Sequence, residues 1–398
     1  MTLKARLSEI ARSSDLAAIG FCTADPFPEV EDSLRDAVVS GRSASLGFTF
    51  TAPMIATDPR ASFPWAETLV VVAYPYLPAA GRPPSCRRGA GRVARFATED
   101  HYVPLLAVLD GLRGVLEEAG FRAAVMFDDN RLVDRAVAVR SGIAWWGKST
   151  MVLTPGTGPW ILLGSIVTDA DIPYDEPMQR NCGLCEACIP ACPTGAIVAP
   201  GVLDSRRCLA AMAQSPGSIP VEFRDAMGDR FYGCDDCLTV CPPGERLAVA
   251  TSTESGGVDL LEILATADRP LRRRFGHFYV PRNEARFLRR NAIVALGNAG
   301  GTQFIGVLAG LLGHPDGLLR AHAAWALGRG GGPIAAAALN AARITEHTAE
   351  VLAEIDRALV MCRAGGTGSS LSHQCRRDSS GGEDAVVAVS KWRVKPKG

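Results

Sequence analysis

Eight cysteines between Cys182 and Cys241 carry the densest reactive chemistry in this sequence. CGLCEACIPACP, from Cys182 to Pro193, has the Cys-x2-Cys-x2-Cys-x3-Cys-Pro spacing of bacterial ferredoxins, in which the fourth cysteine serves the other of two clusters. GCDDCLTVCP adds Cys234, Cys237 and Cys241, and Cys208 completes eight thiolates, four for each of two four-iron four-sulfur cubes. The crossing rule groups Cys182, Cys185 and Cys188 with Cys241, and Cys192 with Cys208, Cys234 and Cys237. Zinc is the competing reading, since Cys-x2-Cys pairs also close tetrahedral sites. Interlocked triplets, each followed by proline, favour iron-sulfur ligation. Cys22, Cys86, Cys362 and Cys375 lie outside the pattern and read as free thiols.

The elements that must position these ligands follow from the rest of the text. A chain of 398 residues predicts two or three domains. Lys plus Arg and Asp plus Glu balance at 42 each, so an anionic partner must be met by a local patch. The N-terminal stretch spreads its apolar residues at helical spacing, and no run reaches membrane-spanning length. A cytoplasmic protein without a membrane partner is the expectation, and twelve cysteines in that compartment point to metal or redox chemistry rather than disulfides.

From Glu67 to Leu77, ETLVVVAYPYL reads as a buried strand. Leu105, Leu109, Leu112 and Leu116 recur at one-turn spacing with Gly120 at a C-cap position, and FRAAVMF reads as the next strand. Leu132 to Arg140 predicts a short helix, and TMVLT and WILLGSIV two more strands. Residues 1–175 are therefore assigned to an α/β or α+β domain and 176–250 to a ferredoxin-like double-cluster domain held by its metal. Residues 255–361 are assigned to helical repeats. There RFLRRNAIVALGNAG and LLRAHAAWALGRGGG are related segments similar to HEAT repeats. Residues 362–398 have too little apolar content to fold alone and read as disordered.

Three further signals carry chemistry. GIAWWGKS satisfies a phosphate-loop pattern, but it follows a helix and enters a strand, the reverse of a phosphate cradle. Lys148 remains available to an anionic group. Asp128, Asp129 and Asn130 stand where a strand ends and a helix begins, a place for helix caps and equally for the proton donor of a cleft. Asp134, between Arg131 and Arg135, reads as a surface ion-pair partner. Arg269, Arg272, Arg273, Arg274, Arg282, Arg286, Arg289 and Arg290 form a basic stripe that could grip phosphates or pair with acids on neighbouring turns.

Taken together, GRVARFATEDHY, DDNRLVDR, SGIAWWGKSTMVL, LLGSIVTD, the cysteine runs, LDSRRC, GSIP and the trailing repeats resemble the epoxyqueuosine reductase family. The resemblance implies a base-off cobalamin between the N-terminal and cluster domains, fed by the two clusters, and reduction of epoxyqueuosine to queuosine in tRNA. It implies an external low-potential electron donor, and a monomer is expected. It aligns Asp128 with the family's catalytic acid, and Asp128, Val152, Leu163 and Asp235 with cobalamin contacts. It departs from the family at Ile55-Ala56-Thr57, where an arginine is usual, at Arg131 for a proline, and at Ser165 for an acid. It departs also after Cys208, where Leu209-Ala210 replaces polar and aromatic residues, and at Pro243-Gly244. Two other readings remain at this stage: a related corrinoid reductase of a small molecule, and an electron-transfer or scaffold protein without a corrinoid.

Overall fold

The computed structural model describes residues 1–76, 89–244 and 257–363. Four strands, Ala18–Thr23, Thr68–Pro75, Ile161–Thr168 and Ala123–Met126, stand side by side in that order, each pair of neighbours antiparallel. The strand-helix alternation suggests a parallel α/β layer, and the two strands flanking helix Tyr102–Glu118 do run parallel to each other. Ile161–Thr168 inserts between them in reverse, which makes the sheet antiparallel and the domain α+β. The inserted strand carries Gly164, where a Cβ would lie 2.6 Å from Leu109 Cδ1, so the helix can settle directly on the strand.

Strand residues alternate between two cores because successive side chains point to opposite faces. Phe21, Val70, Val72 and Ile166 pack with Leu7, Leu105, Leu109, Leu112 and Leu116 on one face. Leu69, Val71, Ala73 and Val167 pack with Leu132, Val133, Ala136 and Val137 on the other. Each such buried side chain contributes about 1.5–3 kcal/mol. This two-sided burial fixes the position of helix Asp134–Arg140 and of the loop leading into it.

The C-terminal half is built on helices Ala285–Ala299, Gly317–Gly330, Gly332–Thr345 and Ala349–Arg363. The recurring Ala-Leu-Gly has a packing cause. A Cβ on Gly297 would lie 2.7 Å from the Trp325 ring, and one on Gly328 2.8 Å from Ala358 Cα, so each repeat glycine is where the next helix touches. The core of these repeats also takes in Val93, Ala97, Leu209, Met212, Phe231 and Tyr232, and strand Ala90–Val93 sits between Arg230–Tyr232 and Gly257–Asp259. Segments from all three expected domains thus share one interior. The last helix runs to Arg363, and the stretch read as disordered otherwise lies outside the described residues, as do Cys86 and Cys375.

Candidate active site and iron-sulfur ligands

The thiols gather in two sets. Burial, and then the neighbouring thiols of Cys182, Cys188 and Cys185, pushes Cys241 up to about 12. Cys188 is raised by burial with Cys182 and Cys185 beside it. In the second set, burial and then Cys234, Cys208 and Cys192 raise Cys237. Burial pushes Cys234 up to about 11, and burial with Cys192 close by raises Cys208. Cys188 of the first set also stands beside Cys237, so the two sets adjoin. Four crowded thiolates repel one another unless a cation-rich centre sits among them.

Backbone geometry supports the ligands. Cys192 Sγ accepts from Ala196 N at 3.2 Å; burial raises this thiol, and the hydrogen bonds from Thr194, Ala196 and Ile197 outweigh it and lower it. Thr194 Oγ1 donates to Arg207 O at 2.6 Å, fixing the approach to Cys208. Helix Leu209–Gln214 then follows Cys208, and Leu209 belongs to the repeat-side packing. Pro243-Gly244 closes the last cluster loop. Gly244 O accepts from Trp160 Nε1 at 3.2 Å, and a Cβ on Gly158 would lie 2.6 Å from Gly244 N, so two glycines let the loop meet the sheet domain.

The Gly-Lys segment is a hairpin, with Trp145–Trp146 paired to Val152–Leu153 and Gly147 N donating to Met151 O at 2.8 Å. No helix opens there, in keeping with the refusal of a phosphate loop. Lys148 Nζ instead lies 3.2 Å from Glu186 in the cluster segment.

Asp128 follows strand Ala123–Met126 and has a left-handed backbone, φ 47°. Asp128 is open to solvent on one side, while the protein packed around its carboxyl, and then Asp129, raise it. Asp129 is not a cap of the following helix. Its Oδ1 accepts from Arg131 N and Nε, both at 2.9 Å, and the N-cap position is Val133, with no side-chain cap. Asn130 is exposed and caps nothing. Arg131, in place of the family proline, also lies over the Phe63 ring at 5.2 Å. Asp134 corrects the ion-pair expectation: no salt bridge to it forms among the described residues, and its buried Oδ1 has no hydrogen-bond partner. Burial, then Asp128, pushes it up to about 8. The area around Arg135 is open to solvent, yet protein surrounds its guanidinium on most sides and burial lowers it; a concave wall reconciles the two.

Between this acid pair and the second thiol set stand residues that no sequence signal singled out. Tyr76 lies beside Asp235, Cys237, Arg95 and Arg135, and packs with Trp160 and Leu238. Asp235 Oδ2 accepts from Arg95 N at 2.8 Å, while its Oδ1 and Arg95 Nη1 are buried without partners. Burial pushes Asp235 up to about 6. Leu163 is partly buried; Val152 is 3% exposed and engaged in the core, so its side chain offers little surface. Ser165 is buried with an unpartnered hydroxyl, and Ile55-Ala56-Thr57 closes helix Pro53–Thr57. Tyr76 follows strand Thr68–Pro75 and Arg95 opens a single 3-10 turn, Arg95–Ala97; only the burial of Tyr76 and of the Arg95 Nη1 marks them.

The basic stripe divides. Arg290 is buried and donates to carbonyls of Met212, Ala213, Ser215 and Gly217, holding the end of the helix that follows Cys208. Arg289 pairs with Asp268, Arg274 with Glu262 and Arg286 with Glu284. Arg269, Arg272, Arg273 and Arg282 are exposed and form no ion pair among the described residues.

Comparison with known proteins agrees with this layout. A 4Fe-4S double cluster binding domain matches residues 181–244, and HEAT repeats match residues 283–359. The epoxyqueuosine reductase of Bacillus cereus is 32% identical, covering 90% of this chain and 97% of the relative. That of Bacillus subtilis is 34% identical, covering 92% and 97%. The chain belongs to the epoxyqueuosine reductase family. A selenomethionine-labeled epoxyqueuosine reductase crystal structure superposes with TM-score 0.83 at 32% identity, covering 90% of this chain and 99% of that one. Another, with a tRNA-Tyr epoxyqueuosine-modified stem loop, gives 0.82 at 32% identity, covering 91% and 99%. The epoxyqueuosine reductase family makes this chain an oxidoreductase, and among the described residues no helix is long and apolar enough to cross a membrane.

Proposed function

We propose that this chain reduces epoxyqueuosine to queuosine in tRNA, with electrons from an external low-potential donor passing through two four-iron four-sulfur clusters to cobalamin. The observation that carries the reading is contiguity. The second thiol set reaches Tyr76 and Arg135 through Cys237, Arg135 adjoins Asp134, and Asp134 in turn adjoins the acid Asp128. The first set includes exposed Cys185, where an external donor would approach.

The residues fit a corrinoid. Buried orphans Arg95 Nη1 and Asp235 Oδ1 offer a donor and an acceptor to its peripheral amides, and Leu163 offers apolar surface. Asp128 and the Val152 backbone complete the proposed contacts. When bound, cobalamin supplies low-potential reducing power at the epoxide carbon. Asp128 supplies the proton. Burial disfavours its anion, so the carboxyl stays protonated closer to neutral pH and can protonate the departing oxygen. A structurally similar epoxyqueuosine reductase holds a tRNA stem loop, and within the basic stripe Arg269, Arg272, Arg273 and Arg282 form no ion pair among the described residues and are available to meet phosphates.

The test is anaerobic reconstitution with iron, sulfide and cobalamin, then turnover of epoxyqueuosine-containing tRNA followed by nucleoside mass spectrometry. Queuosine should form, and Asp128→Asn should lose on the order of 10²–10⁴-fold in rate. Turnover of the free nucleoside equal to that of the tRNA would favour a small-molecule substrate, and full activity in Asp128→Asn would remove the acid from its role.

A further inference from the structure

We propose that Asp134 is the second proton-holding carboxyl of this site, a positioning residue whose charge state keeps Asp128 protonated between turnovers. The proposal rests on the reading of Asp128 as the acid. Its basis is geometric. Asp134 opens helix Asp134–Arg140, and neither of its carboxyl oxygens receives a hydrogen bond among the described residues, with Oδ1 fully buried. The cations on either side are committed elsewhere. Arg131 makes a two-point pair with Asp129, and Arg135 Nη1 donates to Thr150 O at 3.3 Å. Asp134 is half-buried, and a carboxylate oxygen walled off without a donor is costly, so the site favours the neutral form.

The groups that face it are Asp128, Asp129 and Arg135 from its own loop and helix, and Tyr102 from helix Tyr102–Glu118. Tyr102 is partly buried beside both Asp128 and Asp134, and its ring lies 5.7 Å from Phe127. The left-handed backbone at Asp128, unusual for a residue with a side chain, is held by the Asp129–Arg131 pair on one side and the strand on the other.

The chemistry asks for two such groups. An epoxide that becomes an alkene takes up two electrons and two protons while both carbon-oxygen bonds break and the oxygen leaves as water. The electrons come from the clusters, and one proton from Asp128 leaves a second to be supplied. Two coupled carboxyls release their protons as a pair, so the pair keeps one proton to higher pH than Asp128 would alone.

Two measurements on the full chain test this. Infrared spectra of protein carrying carboxyl-labelled aspartate should show a protonated carboxyl at pH 7 that survives in Asp128→Asn and disappears in Asp134→Asn. Its persistence in Asp134→Asn overturns the proposal whatever the enzyme's substrate. In the reconstituted enzyme, Asp134→Asn should keep KM, while the alkaline limb of kcat moves down by about one pH unit, a roughly tenfold loss on that limb. An unchanged limb also overturns the proposal. If Asp134→Asn does not fold, absence of the band from the wild-type protein at pH 7 overturns it. The stability sign is fixed as well. A carboxyl raised from 3.8 to about 8 stabilises the fold fully below pH 4 and loses that contribution as pH rises through 8. Asp134→Asn should flatten this dependence. Failure of the Asp128→Asn activity test alone would sink the acid assignment and leave the Asp134 proton in place.

Discussion

The segment that carries the thiols and the helices that follow it are neighbours in the chain, yet they take their order from opposite sources. From Cys182 to Val198 and from Cys234 to Gly244, the buried apolar residues are few, Ala196, Ile197 and Leu238 among them, while Leu184 is fully exposed. Helix Ala285–Ala299, by contrast, buries an unbroken run from Arg290 to Asn298. Burial can hold the second region alone. The first must be held by ligation, so one fold joins a metal-dependent half-loop to a metal-independent scaffold, and the junction falls at Cys208 and the helix after it.

Removing the iron should break the comparison most visibly. Under anaerobic chelation, amides of 182–198 and 234–244 should lose hydrogen-exchange protection while those of Ala285–Ala299 and Gly317–Gly330 keep theirs. Equal loss across both regions would mean that the scaffold also depends on the clusters.

A smaller effect probes the scaffold's polar interior. Arg224 and Glu354 form an ion pair at 3.0 Å with side chains only 3% and 5% exposed, and Ile219 N donates to buried His322 Nε2 at 3.2 Å beside it. Removing one partner of a buried pair costs about 3–5 kcal/mol. Arg357 also reaches Glu354 at 2.8 Å and would retain part of the charge balance. Arg224→Ala should therefore cost about 3 kcal/mol in denaturant midpoint, and it should do so with clusters present or absent. A loss seen only in the iron-loaded protein would tie this pair to the ligand segment instead.

Much of this division is legible in the sequence. Cysteine spacing alone marks the double-cluster segment, because iron-sulfur ligation imposes it, and the repeated Ala-Leu-Gly announces the helix contacts at Gly297 and Gly328. Strand order was not legible, since nothing local says that Ile161–Thr168 will insert between two helix-linked strands. Asp134 misleads for a related reason. Its sequence neighbours are arginines, but helix geometry turns Arg135 toward Thr150, and Arg131 is claimed by Asp129. The stripe from Arg269 to Arg290 likewise looks uniform until acids from other turns, Glu262 and Asp268, are brought against half of it.

That split among the arginines yields the subtlest test, since it separates the scaffold's inner surface from its outer one. Each phosphate contact to RNA releases counterions, so the slope of log affinity against log salt measures how many contacts exist. Arg272→Ala removes an exposed, unpaired guanidinium and should lower that slope by about 1 for epoxyqueuosine-containing tRNA, with stability unchanged. Arg289→Ala removes a side chain already committed to Asp268 and Thr266 O, so it should leave the slope alone and cost a fraction of a kcal/mol in stability. If both variants change the slope equally, the Asp268 pair opens on binding and the whole stripe faces the nucleic acid. If neither changes it, the phosphates are gripped elsewhere on the molecule.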